Sequence, residues 1–206
     1  MTESIRSASF GQGHDLSLVD RLGTWMSRRA VTRYAGALDG RRWADIGCGF
    51  DARLANSLCD RAGTTTVVDV SLSDAVKSDP RVHAVEGVLP AILANFDEAT
   101  FDVITCISVL EHVWEDFDTV CEFRRLLAGD GTLVLNVPSW RGKTALEFSA
   151  FRLGLSPAGE MNDHKRYYDP RDLWPLLVRS GFVPQHITCR RHKLGLNTLA
   201  VCRLAD

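Results

Sequence analysis

The feature that most restricts what this chain can fold into is a pair of segments, VITCISVL at 103–110 and TLVLNV at 132–137, that are apolar at consecutive rather than alternate positions. A strand with one solvated face alternates; one without alternation is buried on both faces, as inside a parallel sheet covered by helices. Strand-like runs recur at Arg42–Ile46, Thr64–Asp69, Val82–Glu86, Phe101–Ile107 and Leu133–Val137, with helical patterns between them, most clearly over Ala52–Ala62 and Asp116–Leu127. Strand and helix in alternation predict an α/β fold: a Rossmann-like doubly wound, mostly parallel sheet with helices on both faces. Beyond it, Asp169 is placed to cap a helix that opens on Pro170 and ends at Gly181, with Pro175 kinking it or delaying its start. The β-like runs Val183–Cys189 and Asn197–Arg203 are then close enough to pair as an antiparallel C-terminal hairpin at the sheet edge. Ahead of the sheet, Leu18, Val19, Leu22, Trp25, Met26, Ala30 and Tyr34 recur at helical spacing and predict a cap, serving as a lid or as a dimer surface.

At 206 residues without repeat, linker or low-complexity tract, a single domain over 1–206 is expected. Its parts are a helical cap (1–38), a cofactor-binding core (41–138), an acceptor-side loop or lid (139–169), and a C-terminal helix and hairpin (170–206).

The first strand runs into WADIGCGFDARLA (43–55). Gly47, Gly49 and Ala52 satisfy the dinucleotide pattern G-x-G-x-x-G/A, and Asp69 ends the second strand where an acidic residue holds ribose hydroxyls. Two carboxylates, Asp45 and Asp51, flank the glycines. A pyrophosphate beside them meets like-charge repulsion of about 1 kcal/mol at 4 Å in water and about 4 kcal/mol in a half-buried site. That counts against a nucleotide-dependent oxidoreductase, the first alternative. A ligand with an adenosine at one end and a cationic amino acid at the other turns the same carboxylates into an attraction, and S-adenosylmethionine is such a ligand.

At these residues the chain resembles the class I S-adenosylmethionine-dependent methyltransferases, in the type 11-like group. The resemblance covers about Trp43 to Arg203: Asp45-Ile46-Gly47-Cys48-Gly49 as the acidic-x-G-x-G turn, Asp69 in VVDVS, the strand and turn FDVITCISVLEHV, and EFRRLLAGDGTLVLNVPS leading into the fifth strand. It implies S-adenosyl-L-methionine as cofactor, held by Asp45, Gly47, Cys48, Gly49, Asp69, Val70, Ile107, Ser108 and Glu111. Asp51 stands where the family usually has a third glycine, and Val88 where a polar residue often meets the adenine. These departures keep open a second alternative, a catalytically silent methyltransferase-like binding protein.

Methyl transfer from a sulfonium is an in-line displacement, so alignment and one base suffice. His112, just past the fourth strand, and His164, in the long loop, are the candidate catalytic residues, because a histidine titrates near neutral pH. The resemblance extends to ubiquinone-biosynthesis O-methyltransferases that carry E-x-x-E-H here and hold a divalent metal. This chain has Ser108 in place of the first glutamate, leaving Glu111 and His112, too few for magnesium, so no metal is expected. The loop also contains Glu160, Asp163, Lys165, Arg166, Tyr167 and Tyr168, and DHKRYYDP resembles a segment of glycan-biosynthesis methyltransferases. The expected acceptor is a small molecule or glycan, with oxygen favoured over nitrogen because no Asn-Pro-Pro-Tyr-type motif is present. SWRGKT (139–144) lacks the upstream glycine of a phosphate loop, and the Arg190–Lys193 cluster reads as a solvated hairpin loop.

A net charge of -2 and an absence of basic aromatic platforms give no expectation of nucleic acid binding. Six cysteines without a C-x-x-C pair read as reduced core thiols. No apolar run approaches the roughly 20 residues that span a bilayer, so no membrane partner and a cytoplasmic location are expected.

Overall fold

The computed structural model describes residues 9–11, 18–35, 38–144 and 164–204. Seven strands form one sheet: β1 (Arg42–Ile46), β2 (Thr64–Asp69), β3 (His83–Glu86), β4 (Phe101–Ile107), β5 (Leu127–Pro138), β6 (Ile187–His192) and β7 (Asn197–Arg203), in the order β3-β2-β1-β4-β5-β7-β6. The first five are parallel, while β7 runs antiparallel to both β5 and β6. With them are the helices α1 (Leu18–Tyr34), α2 (Arg53–Asn56), α3 (Asp74–Lys77), α4 (Asp116–Leu126) and α5 (Pro170–Arg179), and residues 140–144 are helical as well.

The consecutive apolar runs are explained by two cores, one on each face of the sheet. Ile104, Leu133 and Leu135 join Phe123 and Leu126 of α4 and Leu173 and Leu177 of α5. Their strand neighbours Val103 and Val134 face the other way, toward Ala30 and Val31 of α1 and Leu54 of α2. Each strand residue is buried whichever side it takes, so alternation disappears.

The expected Ala52–Ala62 helix is broken. α2 ends at Asn56, and a short 3-10 turn follows over Cys59–Arg61. The Ser57 hydroxyl donates to the Leu54 carbonyl at 2.8 Å, which draws the chain into local bonding at the break. The C-terminal hairpin pairs as expected but is shifted: Pro184–His186 form a 3-10 turn, and Arg190, Arg191 and His192 belong to β6. α5 starts at Pro170 with the Asp169 amide donating to Asp172 Oδ2 at 2.9 Å, and carries Pro175 within it. On α1, Leu22 and Trp25 of the expected stripe are exposed, while its Ala30 is buried together with Ser27 and Val31. No described helix is long and apolar enough to cross a membrane.

Candidate active site

The strand order reverses between β1 and β4, and at such a switch point the loops leaving the carboxyl ends part to form a crevice. The residues singled out in the sequence stand at the ends of three adjacent strands: Asp45 near the end of β1, Gly47, Cys48 and Gly49 in the turn after it, Asp69 and Val70 at the end of β2, and Ile107 and Ser108 at the end of β4. Gly47 and Gly49 adopt φ of +74° and +77°, where a Cβ is strained. A Cβ on Gly47 would also lie 2.1 Å from Val109 Cγ2. The Gly49 amide donates to Asp69 Oδ2 at 2.8 Å, setting the backbone cradle beside the β2 carboxylate.

Asp45 is 2% exposed. Register pairs it with Thr105, whose hydroxyl donates to Asp45 Oδ1 at 2.7 Å and accepts from the Trp43 indole at 3.0 Å. Asp45 Oδ2 has no hydrogen-bond partner among the described residues. Burial pushes its pKa up to about 7, against the help of Thr105. A buried carboxylate oxygen left unmatched is costly, and a cationic donor from a ligand relieves that cost. The same burial, with Asp45 and Asp69 nearby, holds the Cys48 thiol protonated.

Asp51 does not enter the site. It pairs with Arg53 at 3.1 Å on the surface. Left-handed backbone falls at Ala52 (φ +45°), not at Asp51, so the missing third glycine imposes no strain there. Val88 is 44% exposed.

Past β4, Ser108 is left-handed (φ +58°), its amide bonded to the Asn136 carbonyl at 2.7 Å. That bend leads into a 3-10 turn, Leu110–His112. The segment from His164 is fastened to this turn, since the Lys165 amide donates to the Glu111 carbonyl at 2.8 Å and Lys165 Nζ to the His112 carbonyl at 2.7 Å. The rings of His112 and His164 consequently meet edge to face, centroids 4.8 Å apart, and His164 Nδ1 lies 3.1 Å from the Tyr167 hydroxyl. Glu111, His112 and His164 each bring a ligand atom within 4.8 Å of the others. The expectation of no metal counted two ligands; the fold supplies a third from 52 residues away. Glu160 and Asp163 lie outside the described residues.

Beside this cluster is a cavity of about 770 Å³ lined by Trp140, Lys143, His164, Tyr167 and Arg179, among others. Tyr168 lines the same cavity, but its hydroxyl is engaged: it donates to Asp116 Oδ2 at 2.9 Å, and burial beside that carboxylate raises its pKa, so it stays protonated. Arg166 pairs with the same Asp116.

Three features were missed in the sequence. Asn136, 1% exposed at the end of β5, has an amide side chain with no partner among the described residues; one polar residue inside TLVLNV was its signal. Lys193 is not in a solvated loop. Its Nζ lies 3.7 Å from where a Gly23 Cβ would stand, burial lowers its pKa and the Glu111 charge opposes that, while Lys193 and Leu194 take φ of +48° and +59°. SWRGKT packs against the hairpin: Ser139 Oγ accepts from the Gly142 amide at 3.1 Å, and a Gly142 Cβ would lie 2.1 Å from the Leu196 carbonyl oxygen.

With this arrangement in place, comparison with known proteins shows what the domain is similar to. Residues 44–135 match the family described as methyltransferase domain. The chain carries a methyltransferase domain over these residues. The methyltransferase is 30% identical over 154 residues to a ubiquinone biosynthesis O-methyltransferase of Alkalilimnicola ehrlichii, covering 69% of this chain and 61% of the relative. It is 27% identical to the protein of that name from Photobacterium profundum, covering 77% and 70%. Its fold is shared with a SAM-dependent methyltransferase from Archaeoglobus fulgidus (TM-score 0.64, 16% identity, 89% and 93% coverage). A further match is an S-adenosylmethionine-dependent methyltransferase from Mesorhizobium loti (TM-score 0.63, 15% identity, 90% and 99% coverage).

Proposed function

We propose that this methyltransferase transfers the methyl group of S-adenosylmethionine to a hydroxyl of a small-molecule or glycan acceptor. The observation that carries the cofactor assignment is the Gly49 amide to Asp69 bond, which sets a side-chain-free cradle beside a carboxylate suited to ribose hydroxyls. Asp45 Oδ2 is the matching acceptor for the ammonium of the amino-acid end. The cofactor supplies an electrophilic methyl group. The chain's own residues align the acceptor, exclude water and handle one proton.

The 770 Å³ cavity is the acceptor pocket in this reading. The Trp140 and Tyr167 rings, 5.6 Å apart, offer apolar faces to a sugar or other ring, and Lys143 and Arg179 offer charge at its edge. The acceptor proton leaves at His164, which lines the pocket, with the His112 ring packed against it. Relatives named for O-methyl transfer support oxygen as the accepting atom.

The test is a thermal shift with S-adenosylhomocysteine and with NAD, followed by a labelled-methyl screen of small-molecule and glycan extracts. Stabilisation by S-adenosylhomocysteine, abolished in Asp69→Ala, is expected; a carboxylate accepting from hydroxyls is worth about 1.5 to 3 kcal/mol. Stabilisation by NAD alone would reinstate the oxidoreductase reading, and cofactor binding with no transfer to any acceptor the silent-module reading.

A further inference from the structure

We infer that Lys193 and Asn136 form an anion subsite that holds a carboxylate of the methyl acceptor, so that the substrates of this site are hydroxy acids. The inference rests on the methyltransferase reading above and narrows its acceptor class. It leaves proton removal with His164 and the His112 ring packed against it.

The backbone is strained to place Lys193. Lys193 and Leu194 both take left-handed conformation at the hairpin tip, φ +48° and +59°, without the freedom of glycine. The strain does not serve Leu194, which is 93% exposed. What it turns inward is the Lys193 side chain, whose Nζ reaches α1 at Gly23, 3.7 Å from where a Cβ would stand. A longer side chain at position 23 would occupy the space of the ammonium. The tip is fastened in this position, because the Ser139 amide donates to the Leu196 carbonyl at 2.9 Å and Ser139 Oγ to the Gly195 carbonyl at 2.8 Å.

The Lys193 side chain so placed is half-buried, and its ammonium makes no hydrogen bond or ion pair among the described residues. Burial lowers its pKa, and the Glu111 charge opposes that from beyond ion-pair distance. A desolvated cation without a partner is unfavourable, and an anionic group from a ligand offsets the loss. A second unmatched group stands at the same end of the sheet. Asn136, buried at the end of β5, has neither amide atom bonded among the described residues. Register sets it beside Leu199 of β7, which packs with Val134 toward α1, so Asn136 and Gly23 belong to the same face.

Charge and distance select the occupant. One ammonium balances one negative charge. A phosphate, at about -1.5 to -2 near pH 7, would leave charge uncompensated beside Glu111. A carboxylate does not, and its two oxygens can accept from the ammonium and from Asn136 Nδ2. The carboxylate of the cofactor itself is a poor candidate. It is joined to the carbon that bears the ammonium assigned to Asp45 on β1, and the strand order puts β7 three strands from β1, about 14 Å. Glu111 neighbours both Lys193 and the histidine pair, so an acid group held at Lys193 leaves the rest of the acceptor near His164.

The experiment uses the full chain, with and without S-adenosylhomocysteine, and two matched probe pairs: benzoate against benzamide, and methyl glucuronide against methyl glucoside. Binding is followed by the carbon-13 signals of labelled lysine, of which the chain has four. Each acid should bind at least about tenfold more tightly than its neutral partner, the scale of a hydrogen bond to a charged group, and should move the Lys193 signal. Lys193→Met should abolish the preference and leave S-adenosylhomocysteine affinity unchanged. Asn136→Leu should weaken acid binding about threefold or more while raising the melting temperature of the free chain, because apolar atoms of similar size replace unmatched buried polar ones. The methylated product of the labelled-methyl screen should be retained on an anion exchanger at about pH 7 and released at about pH 2, below the ordinary carboxylate range. Equal binding of acid and neutral probes, a preference kept in Lys193→Met, or a product that is uncharged at the higher pH or still retained at the lower one overturns the assignment. A fall in S-adenosylhomocysteine affinity in Lys193→Met would give the lysine to the cofactor's carboxylate and overturn it as well. An acid preference intact in a chain that does not bind S-adenosylhomocysteine would instead overturn the methyltransferase reading and leave the anion subsite standing.

Discussion

The hydroxyl of Ser9 donates to the carboxylate of Asp69, 60 residues further along the chain. Asp69 also accepts from the Val70 amide at 2.8 Å on the same oxygen and from the Gly49 amide on the other. The segment bearing Ser9 is held over the turn by a second bond, from the Phe50 amide to the Phe10 carbonyl at 2.9 Å. Ser9 thus uses an acceptor direction that a ribose hydroxyl needs. Ser9→Ala should tighten S-adenosylhomocysteine binding about threefold to tenfold, since a hydrogen bond to a charged group that must be exchanged is worth about 1.5 kcal/mol or more before water replaces it. Isothermal titration of both proteins measures this, and weaker binding by the variant would make Ser9 part of the bound-state contact instead.

Asp45 gives a pH signature. Its folded pKa, about 7 against an ordinary 3.8, means that the fold favours its protonated form. The associated stability is fully present below about pH 3.8 and is lost as pH rises to about 7, a penalty of up to about 4 kcal/mol for carrying the buried charge above that. Asp45→Asn should therefore be more stable than wild type in denaturant melts at about pH 8, with the advantage gone near pH 4. The same variant should bind S-adenosylhomocysteine poorly at every pH, whereas wild-type affinity rises through neutral pH as the carboxylate ionises toward the ligand ammonium. An unchanged affinity in Asp45→Asn would remove Asp45 from the site.

Gly47 is required by both its backbone and its neighbour. Gly47→Ala places a methyl 2.1 Å from Val109 Cγ2 at φ +74°, and should cost about 2 to 4 kcal/mol in stability from overpacking and left-handed strain together. Adding Val109→Ala should return the overpacking part and leave the strain. A double variant no more stable than Gly47→Ala, measured by urea unfolding, would show that strain alone sets the cost.

The parts of this molecule legible in its sequence are those with short-range causes. β1, β2 and β4 were readable to the residue because their apolar runs are bounded by turn signals, and the Asp169–Pro170 start of α5 because a cap and a proline act within one turn. The break after Asn56 was not readable, since Ser57 is compatible with helix until its hydroxyl takes the Leu54 carbonyl. Asp51 was given a meaning it lacks, because the left-handed position moved one residue on, to Ala52. His112 and His164 were each identified by place in the chain, but their meeting depends on bonds from Lys165 to the 111–112 backbone, which no periodicity encodes. Lys193 was hidden for a similar reason: its reach toward Gly23 follows from two left-handed residues at a hairpin tip.

His112 and His164 should act as one unit. Their rings are in contact, and His164 lines the cavity proposed for the acceptor. Tyr168, another residue of the same loop, is kept protonated by burial and by Asp116, which removes it from consideration as a base. His112→Ala and His164→Ala should each lower turnover at saturating cofactor by roughly a hundredfold or more, the usual contribution of proton transfer by a positioned group. Affinity for S-adenosylhomocysteine should be unaffected in both, because neither imidazole belongs to the β1–β2 cradle. Groups that work together are not additive when removed, so the double variant should be little slower than the worse single one. His112 is set in the 3-10 turn directly after β4, whereas His164 is reached through the loop, so His112→Ala should be the more damaging of the two. Near wild-type turnover in both single variants would leave alignment in the pocket as the sole source of rate and exclude the pair from the chemistry.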